Sequence, residues 1–139
     1  MKTIVLIAAI LTSVAPVLLA CRNASTASEK VIKSEKAGGV TVTLSSQTGE
    51  LRSGENELTL SFADSSGKFV DVGAASLTFH MPAMGTMAEM NDKATLLTTD
   101  APGKYRGKVD IEMAATWEAV VVYQGAQGTG QVRMTVNVK

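Results

Sequence analysis

An all-β fold, an antiparallel sandwich of about seven to eight strands, is what this 139-residue sequence predicts for its mature part, on three observations. Apolar residues recur at every second position in one segment after another. Gly-, Asp- and Ser-rich turn signals separate these segments at short intervals. Beyond the N-terminal twenty residues, no stretch carries a convincing helical period. Two-residue alternation belongs to a strand with one buried face, because successive side chains leave a strand on opposite sides. Ig-like topology is the best single expectation, and the lack of a disulfide does not count against it, since many sandwiches have none.

The first twenty residues read as a processing signal. Lys2 gives a short positive start, Ile4 to Leu19 are mostly apolar, and small residues close the stretch. Thr12, Ser13 and Pro16 interrupt the apolar run and make it a marginal membrane span. Leu18-Leu19-Ala20-Cys21 looks like the lipobox of bacterial lipoproteins, with Cys21 as the lipidated N-terminus after cleavage. Acyl chains contribute about 0.8 kcal/mol per buried CH₂, so several on one residue tether a domain without a spanning helix. Arg22 stands where an aspartate would resemble an inner-membrane retention signal, so in a host with two membranes the outer one, facing the periplasm, is expected. Cys21 is the only cysteine, which leaves the mature domain without a disulfide, a thiolate cluster or a cysteine nucleophile.

Domain boundaries follow from composition. Residues 1–20 are the expected lipoprotein signal peptide, 21–39 the lipidated cysteine and a Ser-, Ala-, Lys- and Glu-rich flexible tether, and 40–139 one sandwich domain. Within the tether, Val31 and Ile32 are the only hint of a strand. The chain carries 13 basic and 13 acidic residues, and losing Lys2 with the leader leaves the balance near zero. That balance, with no basic run interleaved with aromatics, excludes an electrostatic case for nucleic acid.

Eight segments carry the strand pattern. Val40, Val42 and Leu44 alternate with Thr41, Thr43 and Ser45; Leu58, Leu60 and Phe62 follow a Ser53-Gly54 turn. Lys68 to Val72 comes after the Asp64–Gly67 turn, and Ala75 to Met81 puts Leu77 and Phe79 on one face and Ser76, Thr78 and His80 on the other. Ala94 to Thr98 and Tyr105 to Ile111 flank an Asp100–Gly103 turn. Thr116 to Tyr123 has Trp117, Ala119, Val121 and Tyr123 in phase, and after a loose glycine-rich connection Gln131 to Val138 closes the chain. The glycines of that connection are not followed by Gly-Lys-Ser/Thr or a helix, so they are no phosphate loop.

The chemistry-bearing stretch is His80-Met81-Pro82-Ala83-Met84-Gly85-Thr86-Met87-Ala88-Glu89-Met90. It holds the only histidine and four of the seven methionines, at an even spacing of three. Pro82 and Gly85 oppose a helix there, so the reading is a strand end breaking into a loop. Thioethers and imidazole suit Cu(I) and coordinate without losing a proton. Methionine also fills irregular cores and makes adaptable contact surfaces, and a histidine on the outer face of a strand end is commonly solvated. Met113 could add a thioether and Trp117 an indole face that shields a cation; alternatively, Trp117 packs between the sheets, as a lone tryptophan does in Ig folds.

In order along the chain, Gly54-Glu55-Asn56, Leu58 and Leu60, Asp64 and Gly67, Met81-Pro82-Ala83-Met84, Gly103-Lys104-Tyr105, then Met113 and Trp117 before a valine-rich strand resemble the YtkA-like domain family. The resemblance runs from about Val40 to Lys139. It implies a small extracytoplasmic β-sandwich, similar to FixH-like proteins and to modules beside heavy-metal efflux adaptors. Here the histidine precedes Met-Pro, whereas many relatives place one after the second methionine.

Two functions follow as expectations. One is a lipid-anchored module binding Cu(I) or Ag(I) through His80, Met81, Met84, Met87, Met90 and Met113, serving metal delivery, efflux or homeostasis beside an efflux or cell-envelope protein. The other is a metal-free interaction protein whose Met-rich loop docks on such a partner. An enzyme is not expected: no second histidine, no cysteine nucleophile and no recognisable Ser-His-acid arrangement occurs, and Glu89 and Asp92 read as solvated acids.

Overall fold

The computed structural model describes residues 28–139. The expected signal peptide and Cys21 lie outside the described residues. Two antiparallel sheets face each other, and nine strands, rather than about seven to eight, make up the expected sandwich. One sheet has the order β1 (Lys30–Ala37), β2 (Val40–Ser46), β3 (Gly54–Ala63), β7 (Lys104–Ile111), β6 (Thr95–Thr98); the other has the order β5 (Met90–Lys93), β4 (Ala74–Met81), β8 (Thr116–Gly125), β9 (Gly128–Asn137).

Alternation decides what each strand buries. Val42, Leu44, Leu60 and Phe62 meet Leu77, Phe79, Trp117, Val121 and Met134 between the sheets, all essentially inaccessible. Phe62 sits at the centre, edge-on to Tyr105 at 5.7 Å and to Tyr123 at 5.4 Å between ring centroids, an arrangement the aromatic quadrupole favours. Tyr123 in turn lies over Gly130, where any Cβ would come within 2.2 Å of the ring. The Tyr105 hydroxyl donates a 2.6 Å hydrogen bond to the Gly73 carbonyl, tying β7 to the loop that leads into β4.

Four features differ from expectation, each for a local reason. The tether expected over residues 21–39 becomes strand β1 from Lys30 onward, paired with β2 from Lys30↔Ser46 to Ala37↔Val40. Its alternation is hidden because it is an edge strand with an irregularity between Val31 and Lys33, and only Ile32 and Ala37 pack, half-buried, against the core. Glu29 extends that attachment, accepting hydrogen bonds from Thr59 Oγ1 (2.5 Å) and Ser45 Oγ (3.5 Å). Lys68 to Val72 makes only the isolated Ala63↔Phe69 bridge. Asp64 Oδ1 gathers the Ser66 and Lys68 amides, and Asp71 Oδ1 accepts from the Gly73 amide, so local turns compete with a ladder.

The other two differences are extensions. β5 precedes β6, and the chain passes between sheets at Ala94, whose amide donates to the Leu77 carbonyl (2.9 Å) before Thr95 pairs with Lys108. The connection from β8 to β9 is a tight two-residue hairpin with Gly125 opposite Gly128, not a loose loop.

Tyr105 supplies a test. Burial first, and the charge of Asp71 second, raise its phenol above its ordinary value of 10.0. A raised pKa means that the native chain keeps this proton longer than the unfolded chain. Its stability contribution is therefore complete below pH 10.0 and is lost as pH rises through the folded value. Tyr105→Phe is expected to cost about 1 kcal/mol in denaturant unfolding at neutral pH, and to abolish that part of the alkaline loss.

Candidate functional site

The Met-rich segment forms a hairpin between β4 and β5. Thr78 pairs with Lys93, Phe79 with Asp92, His80 with Asn91 and Met81 with Met90. Beyond that ladder, Met84 and Met87 exchange both backbone hydrogen bonds, at 3.1 and 2.9 Å, around Gly85-Thr86. Gly85 has φ of 58° and no non-glycine residue among the described residues has positive φ, the pattern of a two-residue type II′ turn with glycine first. The even spacing of the methionines is therefore a mirror about the turn. It sets Met81 opposite Met90 and Met84 opposite Met87.

Cross-strand partners share a face, so the four thioethers fall into two pairs. Met81 continues the inward phase of Leu77 and Phe79 and is only 1% exposed, while Met90 packs beside it against the core. Met84 and Met87 lie an odd step away, in the phase of His80 and Asn91, and are 57% and 38% exposed. Met81, one of the expected ligands, is a core residue, because strand alternation turns it away from the face that carries His80.

Met113 also belongs to the inner side, partly buried against the core. Its carbonyl accepts the Trp117 indole N–H at 3.0 Å, and the neighbouring Glu112 amide donates to Asp92 Oδ2 at 3.0 Å. The Met113 loop is thereby fixed to the base of the hairpin. Trp117 is 1% exposed. The packing reading holds for it, and a buried indole offers no open face to a cation at the hairpin tip.

His80 is half-buried on the outer face, with Nδ1 and Asn91 Oδ1 2.8 Å apart. The amide oxygen only accepts, so Nδ1 donates, and the neutral ring keeps its lone pair on Nε2. Met84 lies four positions after His80, a reach of at most about 14 Å. Glu118 is the directly opposed residue on β8, engaged with Arg133 at 2.9 Å. Among the described residues, no group of three or more His, Cys, Asp or Glu side chains is arranged to hold a metal.

A cavity of about 540 Å³ opens at the other end of the sandwich, lined by residues that include Lys36, Asp64, Tyr123 and Gln131. It contains no histidine or methionine and is separate from the hairpin.

Comparison with known families matches residues 34–122 to the YtkA-like family. The chain belongs to that family. The match begins within β1 and runs through most of β8, so it includes the Met hairpin and the Met113 loop. Comparison with curated proteins and with solved structures returned no match. The YtkA-like assignment accords with an extracytoplasmic binding-module fold, and no helix among the described residues is long and apolar enough to cross a membrane.

Asn91 was passed over by residue-type reasoning, and Asp92, expected as a solvated acid, accepts the Glu112 amide instead. The signal for them was available: a Gly-first two-residue turn at Gly85-Thr86 fixes the register, and the register sets Asn91 opposite His80. The division into pairs also sets an energetic contrast. Met81→Ala is expected to destabilise by about 2–5 kcal/mol, as for other buried methionines, whereas Met84→Ala should stay within about 0.5 kcal/mol. Chemical denaturation of the two variants checks this.

Proposed function

We propose that this YtkA-like protein is a lipid-anchored extracytoplasmic module that binds Cu(I) or Ag(I) reversibly at the Met84/Met87 pair. The observation that carries the proposal is the mirror arrangement of the hairpin, with two exposed thioethers as direct cross-strand partners. Directly opposed residues have Cα atoms about 5.5 Å apart in a hydrogen-bonded pair, and two flexible thioethers on one face span a soft ion readily. Thioethers select soft monovalent ions over Zn(II), which prefers thiolate, imidazole and carboxylate. His80 is an auxiliary donor through Nε2. Met90 and Met113 are reserves that reach the ion only if the hairpin base rearranges.

A tip ligated through two neutral sulfurs can pass its ion onward, which suits delivery or efflux beside a membrane or cell-envelope partner. Attachment through Cys21 would keep the module at the membrane where such a partner works. One further observation favours the metal-free alternative: Met84 and Met87 project together with exposed Pro82, Ala83 and Ala88, an adaptable apolar tip.

Anaerobic titration with Cu(I) against a chromogenic chelator separates the readings. Replacing Met84 and Met87 by leucine keeps apolar volume and removes sulfur, so binding should be lost; the same change at Met81 and Met90 should leave it intact. A folded wild type that binds no Cu(I) contradicts the metal reading and favours docking.

A further inference from the structure

Six of the seven methionines follow the expected leader, and they differ in access rather than in chemistry. Met84 is 57% and Met87 38% exposed, Met90 and Met113 are partly buried against the core, and Met81 and Met134 are each 1% exposed. Residues 28–139 contain no cysteine, so these thioethers are the only oxidisable sulfur there. Oxidation of methionine to its sulfoxide follows exposure, and it turns a soft, apolar sulfur into a polar group.

We propose that the Met84/Met87 pair is an oxidant-responsive modification site, at which a hydroperoxide converts both thioethers to sulfoxides and so discharges the soft ion. A sulfur lone pair attacks one peroxide oxygen, and the S–O bond forms as the O–O bond breaks. Sulfur is oxidised by two electrons, the peroxide is reduced, and the proton left on the transferred oxygen neutralises the departing hydroxide to water. The discharge of the ion rests on the soft-metal reading of the same pair; the modification itself rests on geometry alone.

Three features of the hairpin make this change a switch rather than a lesion. The two sulfurs belong to cross-strand partners at one exposed tip, so an oxidant that reaches one reaches both. The backbone bonds between Met84 and Met87, at 3.1 and 2.9 Å, involve no side-chain atom and survive oxidation. Water solvates the new S–O dipoles at the tip, whereas a sulfoxide at Met81 or Met134 would put an unpaired polar group into the core. Ion and oxidant also compete for the same lone pairs, because a thioether coordinated to a soft cation is a weaker nucleophile. Once both sulfurs are oxidised, His80 is left as the nearest donor, and imidazole is a less soft ligand than a thioether.

The test exposes the purified full chain to limiting hydrogen peroxide and locates each added oxygen by mass spectrometry. The expected order is Met84, then Met87, ahead of Met90 and Met113, with Met81 and Met134 last and the melting temperature unchanged while only the tip is oxidised. Equal rates at all of them, first oxidation at Met81 or Met134, or unfolding on oxidation of the tip overturns the proposal. Ag(I) is the probe ion, since Cu(I) itself reacts with peroxide. Bound Ag(I) is expected to slow oxidation at Met84 and Met87 alone, and tip-oxidised protein is expected to lose Ag(I) binding. Binding retained after both tip sulfurs are oxidised overturns the discharge. A wild type that binds no Ag(I) removes the discharge together with the metal reading, and the order of oxidation then decides the modification site by itself.

Discussion

The register of the β4–β5 hairpin is the constraint on which the candidate site depends. Leu77 and Phe79 must face the opposite sheet, and a pleated strand then sends Met81 inward and His80 outward. A slip of one residue would expose Phe79 and bury the imidazole, so core packing enforces the register of the tip. The Gly85-Thr86 turn completes the constraint, because a two-residue loop leaves Met84 no partner but Met87.

The hairpin tip is thus presented by rigid parts. Trp117, buried beneath, holds the Met113 carbonyl, and Asp92 on β5 holds the next loop through the Glu112 amide. At the same end, Leu51 bridges to Val138, and the Lys139 ammonium hydrogen-bonds Glu50, holding that carboxyl below its usual range. Only residues 82–89 stand clear of the ladder, and all are exposed. A firm base with a small projecting tip suits brief engagement, whether the guest is an ion or a protein surface.

Much of the fold was legible in the sequence because inward-facing strands advertise themselves by alternation. β2, β3, β4, β7, β8 and β9 each carry a run of apolar residues two apart, and those residues form the core. β1 was not legible, since an edge strand with exposed Val31 and several lysines packs only Ile32 and Ala37 against the core and shows no alternating apolar run. The false strand at Lys68 to Val72 shows the reverse: apolar residues were present, but Asp64 and Asp71 commit the neighbouring amides to turns. At the site, residue type picked out the Met-rich segment without separating its inward from its outward side chains. Counting by chemistry ignores direction, whereas the alternation already visible through Leu77 and Phe79 assigned Met81 to the interior.

The six methionine methyl groups beyond the expected leader give a direct view of the central claim, that the paired thioethers divide into an outer pair proposed to ligate and an inner, packing pair. The measurement is a titration of methyl-¹³C-methionine protein with Ag(I), followed by NMR and assigned by single Met→Leu variants. The account predicts that the Met84 and Met87 methyls shift together and saturate first, with Met81, Met90, Met113 and Met134 unmoved. First shifts at Met81 and Met90, or no shift at any methionine of the folded protein, would contradict it.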